Sequence, residues 1–179
     1  MDRLNVPFVQ LISKTKHWYL DLDPDWTVEF EVLWSPDSQF VALTGNPNGY
    51  TESVRVFHLT ESGPVSLDVA RAPFADMMHR FPPCLASHAN PDLCEEIANS
   101  DEDINFAAVG WTGEHTIVMM AEIPPTGDYG GILGQVMGYE VELPGGRILQ
   151  SLTAREFKRK WQRVMAWNFS IPEPPEWQN

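Results

Sequence analysis

Hydrophobic and polar positions alternate with a period of two from Thr27 onward. Val28, Phe30, Val32 and Trp34 fall on one face, and Glu29, Glu31 and Leu33 on the other, as in a strand whose side chains point alternately up and down. Ser35-Pro36-Asp37-Ser38 turns the chain into Phe40 to Thr44, and Gly45-Asn46-Pro47-Asn48-Gly49 turns it again into Ser53 to Leu59, with Val54, Val56 and His58 on one face. Gly63-Pro64 leads into Val65 to Val69. Short apolar strands joined by Gly, Pro, Asn and Asp read as a four-stranded antiparallel meander over residues 28–69. Upstream, residues 6–20 have a mixed period that fits a short helix or an irregular lead-in strand equally well.

The order repeats after a Pro- and Cys-containing connection over 70–103. Ile104 to Trp111, the tight turn Thr112-Gly113-Glu114-His115, Thr116 to Ala121, a loop, Val136 to Leu143, Pro144-Gly145-Gly146 and Arg147 to Gln150 make a second unit over 104–150. Trp34 and Trp111 stand 77 positions apart, whereas Leu59 and Leu143, each closing a third strand, stand 84 apart. The excess of seven falls in the loop over 123–135. Two units in one chain are an internal repeat.

Trp34-Ser35-Pro36-Asp37-Ser38 before an apolar strand, then Val54-Arg55-Val56-Phe57-His58-Leu59 and a Gly63 turn, resembles a blade of the TolB-type and WD-type β-propellers. Gly110-Trp111-Thr112-Gly113-Glu114-His115 with Gly138-Tyr139-Glu140-Val141-Glu142-Leu143 is similar but lacks the Pro-Asp turn. A closed propeller takes about 4–8 blades, and this chain has two units. The expectation is a self-contained pair of packed sheets; a subunit that completes a larger propeller with other chains is the alternative.

A helix is expected over 153–167. Thr153-Ala154-Arg155-Glu156 is a capping box, and Phe157, Trp161, Val164 and Met165 recur behind it at helical spacing, with basic residues on the other face. The prolines of Ile171-Pro172-Glu173-Pro174-Pro175 stop it and leave an extended tail. The periodic positions of Trp34, Trp111 and Trp161 assign them to the core. The fold class expected is all-β with minor α: one domain over 1–179, two four-stranded antiparallel blade-like sheets and a C-terminal amphipathic helix.

Charge narrows the function. Twenty-five Asp and Glu stand against 12 Lys and Arg, a net charge of −13; such a surface repels nucleic-acid phosphates and anionic membranes and draws in cationic partners. No apolar run is long enough to span a membrane. Met1-Asp2-Arg3-Leu4-Asn5 does not read as a secretory signal, so the compartment stays open between the cytoplasm and, were a signal peptide replaced, the periplasm. Cys84 and Cys94 in a Pro-rich stretch suit a small disulfide loop in an oxidising compartment, with two reduced thiols as the alternative.

No catalytic signature emerges. Asp21, Asp23 and Asp25 alternate like the start of a calcium loop, but the sixth and twelfth places hold Trp26 and Val32 instead of Gly and Glu. Asp101-Glu102-Asp103 reads as a solvated acidic connection. None of His17, His58, His79, His88 and His115 lies in a metal-binding frame, and neither a nucleophile elbow nor a phosphate-binding glycine loop is present. No metal or cofactor is expected. The Gly- and Pro-rich loop over 123–135 is the better functional candidate, with Thr126, Gly127, Asp128, Tyr129, Gly130 and Gly131 as partner-binding residues, since Tyr offers broad contact and Gly lets a partner approach. The function expected is a non-catalytic protein-binding module, in concrete form an acidic inhibitor or immunity-type protein that blocks a basic enzyme. An enzyme or small-ligand binder with a polar pocket between the sheets, lined by His58, Glu114 or His115, is the alternative.

Overall fold

A computed structural model describes residues 8–12, 16–21, 30–45, 53–82, 104–124 and 133–161. Ten strands and two helices follow one another among them: β1 (Phe8–Ile12), β2 (His17–Asp21), β3 (Phe30–Trp34), β4 (Phe40–Gly45), β5 (Ser53–Thr60), β6 (Gly63–Leu67), α1 (Arg71–Arg80), β7 (Asn105–Gly113), β8 (Thr116–Glu122), β9 (Val136–Glu142), β10 (Arg147–Thr153) and α2 (Ala154–Trp161). Strands β3 to β6 and β7 to β10 form two four-stranded antiparallel sheets in meander order, and β1 pairs with β2 in a separate hairpin. No helix among the described residues is long and apolar enough to cross a membrane.

The period-two pattern decides what each face buries. Phe40, Ala42 and Val56 of the first sheet meet Phe106, Ala108, Ile117, Met119, Tyr139 and Val141 of the second, so the two sheets pack face to face around one core. The opposite face of the first sheet, with Val41, Leu43, Phe57 and Leu59, is covered by Leu11 and Leu20 of the hairpin. The opposite face of the second, with Ala107, Val109, Val118 and Met120, is covered by Phe157 of α2. The order of layers is hairpin, sheet, sheet, helix.

The two sheets are also tied by a hydrogen bond. A bulge in β7 after Ala108 shifts the register with β8, and the Ala108 amide donates across the core to Thr44 Oγ1 at 2.9 Å. A buried amide is costly to leave without an acceptor, and Thr44, itself buried, supplies one.

Helix α2 starts as its capping box dictates: the Thr153 amide donates to Glu156 Oε2 at 2.9 Å and the Thr153 hydroxyl accepts the Glu156 amide at 3.4 Å, while the hydroxyl also donates to Oε2 at 2.8 Å. The hydrogen bonds to Oε2, first from the Thr153 backbone and then from its side chain, hold the Glu156 carboxyl below the usual range. The helix is described to Trp161; Val164, Met165 and the tail lie outside the described residues, as do Cys84 and Cys94.

At three places the structure decides or departs from the sequence reading. Phe8–Ile12 pairs with His17–Asp21 in the β1–β2 hairpin, which decides for strand where the mixed period leaves helix and strand open. The Pro- and Cys-containing connection expected over 70–103 begins with α1, whose Phe74, Met77 and Met78, together with Phe81 just past its end, pack on the inter-sheet core at helical spacing; Pro73 in its first turn disguises a helix that tolerates proline there. Its Asp76 accepts hydrogen bonds from Tyr139 Oη at 3.0 Å and Arg80 Nε at 2.7 Å, and Arg80 reaches Ser151 Oγ at 3.0 Å. Burial, with Asp76 beside it, pushes the Tyr139 phenol well above its ordinary value.

Trp34 marks the third place: it is 37% exposed and not in the core. Its period is right and its face is the one the hairpin covers, but β2 lies toward β6, with Trp18 Nε1 donating to Thr60 O at 3.5 Å. The cover therefore stops short of edge strand β3, and Phe30, Val32 and Trp34 stay exposed. Trp111 and Trp161 are half-buried and pack against the inter-sheet core and the α2 core respectively.

Candidate functional site

At one end of the sandwich the β3–β4 turn of the first sheet meets the β7–β8 turn of the second. Ser35 builds the first of these. Its buried hydroxyl donates to Asp37 Oδ1 at 2.6 Å and accepts the Phe40 amide at 2.9 Å, while the Gln39 amide donates to the same Oδ1 at 3.0 Å. Ser and Asp thus satisfy the backbone groups the turn leaves open. Ser38 completes the reversal at φ 60°, in the left-handed region.

This turn presents Asp37 Oδ2. It is shielded from solvent and takes no hydrogen bond, and it stands 3.6 Å from Nε2 of His115. The His115 carbonyl accepts the Leu143 amide at 2.8 Å, which fixes the β7–β8 turn against the end of β9. One ligand atom each from Asp37, Glu114 and His115 lies within 4.8 Å of the other two. Burial alone would raise the Asp37 carboxyl, but the Ser35 and Gln39 hydrogen bonds and the nearby His115 outweigh it, and the net direction is down.

Aromatic contacts orient both imidazoles. Phe40 stacks on His58, its cross-strand partner, with ring centroids 4.6 Å apart, and meets His115 edge-on at 5.3 Å. Trp111 lies 6.4 Å from Phe40, and its buried indole nitrogen has no hydrogen-bond partner. His58, Glu114 and His115 are therefore brought to one end of the inter-sheet space. The place is open, since the His115 side chain is 52% exposed and Glu114 is exposed.

Sequence reasoning considered Glu114 and His115 and missed Asp37 as their companion. A signal was present: Asp37 and Glu114 are 77 positions apart, the same offset as Trp34 and Trp111, and each falls in the turn between the first two strands of its sheet.

The loop residues Thr126, Gly127, Asp128, Tyr129, Gly130 and Gly131 lie outside the described residues. The base of their loop is described: the Ile123 amide donates to Gln135 O and the Gly134 amide to Ile123 O, both at 2.9 Å, with Ile123 and Gln135 buried. Compared with known proteins, the chain matches no family model, no curated protein and no solved structure.

Proposed function

We propose that this chain is a non-catalytic protein-binding module whose partner presents a basic surface, in its concrete form an acidic inhibitor or immunity-type protein. The observation that carries this reading is the stripe Phe30, Val32 and Trp34 on edge strand β3, three large apolar side chains each more than a third exposed on a chain of net charge −13. Exposed aromatic and aliphatic residues side by side are the usual material of an interface centre. The chain's net negative charge speeds encounter with a cationic partner and loses force as salt screens it.

The experiment is affinity capture from cells that produce the chain, at low and at high salt, with wild type and Trp34→Ala as parallel baits. The reading expects a basic protein retained at low salt by wild type, released at high salt, and retained much less by Trp34→Ala. Equal retention by both baits, or no salt-sensitive protein on either, overturns it.

A further inference from the structure

We propose that Asp37, Glu114 and His115 form a binding site for one divalent metal ion of the zinc class, which clasps the two sheets together at their turn ends. The proposal is independent of the partner reading.

The donor set comes first. Two carboxylate oxygens and one imidazole nitrogen suit zinc and its first-row neighbours. Calcium takes about 6–8 oxygen ligands, and magnesium prefers oxygen alone.

The spacing agrees. Around a tetrahedral ion with bonds of about 2.0–2.1 Å, donor atoms stand about 3.4 Å apart. The Asp37 Oδ2 to His115 Nε2 separation is 3.6 Å, so this pair needs to close by only a few tenths of an ångström. The Glu114 donor is already within 4.8 Å of both, and its exposed side chain has room to swing in.

Asp37 is prepared for the role in a way an ordinary surface carboxylate is not. Its side chain is 13% exposed. Oδ1 is fully engaged by the Ser35 hydroxyl and the Gln39 amide, as the supporting hydrogen bonds of a metal ligand are. Oδ2 is shielded, unbonded and directed at the imidazole. A shielded carboxylate oxygen without a hydrogen bond is unfavourable, and a cation shared with His115 and Glu114 relieves it. His115 in turn is held by Phe40 against its ring edge and Leu143 on its carbonyl. A simple Asp37–His115 ion pair would need neither Glu114 nor a metal, and this separates the two accounts.

The test is calorimetric titration of the full chain with zinc chloride, for wild type, Glu114→Gln, His115→Ala and, as a control on α1, His79→Ala. The proposal expects one equivalent that is weakened at least about ten-fold in both Glu114→Gln and His115→Ala and is unchanged in His79→Ala. Wild-type binding retained by either of the first two variants overturns it, as does the lack of any binding up to about 1 mM zinc. Should His115→Ala fail to fold, the imidazole resonances of His115 in wild type decide the matter. A shift that saturates at one equivalent of zinc supports the site, and no shift overturns it.

Discussion

Phe157 fills the space that a side chain on Gly138 would need: a Cβ built on Gly138 would stand 1.9 Å from Phe157 Cδ2. A glycine in mid-strand sacrifices strand propensity, and here it lets α2 seat its one fully buried side chain directly on the β9 backbone. Gly138→Ala is expected to displace Phe157 and cost about 3 kcal/mol, the upper end for overpacking, and Phe157→Ala about 3–5 kcal/mol. The double variant should lose clearly less than the two losses added, because the new methyl enters the vacated space. Urea denaturation of the four proteins measures this, and strict additivity would refute the shared volume.

Thr44 and Ala108 make a second, more polar junction. Val has nearly the shape of Thr but cannot accept the buried Ala108 amide, so Thr44→Val should destabilise the chain by about 1–3 kcal/mol. Thr44→Ser keeps the oxygen and loses one methyl, and should fall between the two. If Thr44→Val proved as stable as wild type in chemical denaturation, the inter-sheet hydrogen bond would carry no weight.

These junctions mark what could be read along the chain and what could not. Strand periodicity and the turns at Ser35-Pro36-Asp37 and Gly113-Glu114 are local properties, and the capping box at Thr153 is likewise written within four residues; all three are readable without the fold. The meeting of Asp37 with His115 is different. Polar residues belong in tight turns whatever their neighbours, so only the packing of one sheet on the other turns them into a cluster. Trp34 shows the converse: its period marks a strand face correctly, but whether that face is covered depends on how far the β1–β2 hairpin extends. Helix α1 was obscured by Pro73, although Phe74, Met77, Met78 and Phe81 carried its spacing.

Ser38 holds a left-handed conformation, φ 60°, that L-residues with a Cβ adopt at a cost of about 1–2 kcal/mol. Glycine avoids that cost but loses more backbone entropy on folding, about 0.5–1 kcal/mol. Ser38→Gly is therefore expected to stabilise the chain by about 0.5–1 kcal/mol, visible as a higher urea midpoint with an unchanged slope. A lower midpoint would mean that the Ser38 side chain contributes contacts that outweigh its backbone strain.

Glu122 gives the pH dependence a definite sign. Burial pushes its carboxyl above the reference value of 4.5, and the Asn105 amide, donating to Oε2 at 3.2 Å, only partly opposes this. A group whose folded pKa is raised binds its proton more tightly in the folded state. Its contribution to stability is complete below pH about 4.5 and is lost as pH rises through the folded value. Glu122→Gln keeps an oxygen for Asn105 and has no charge to bury, so it should match wild type at pH 4 and exceed it progressively toward pH 7. Denaturant midpoints of the two proteins at pH 4, 5, 6 and 7 test this directly. A gap that stays constant with pH, or that widens toward acid, would show that the Glu122 carboxylate is not destabilised by its surroundings.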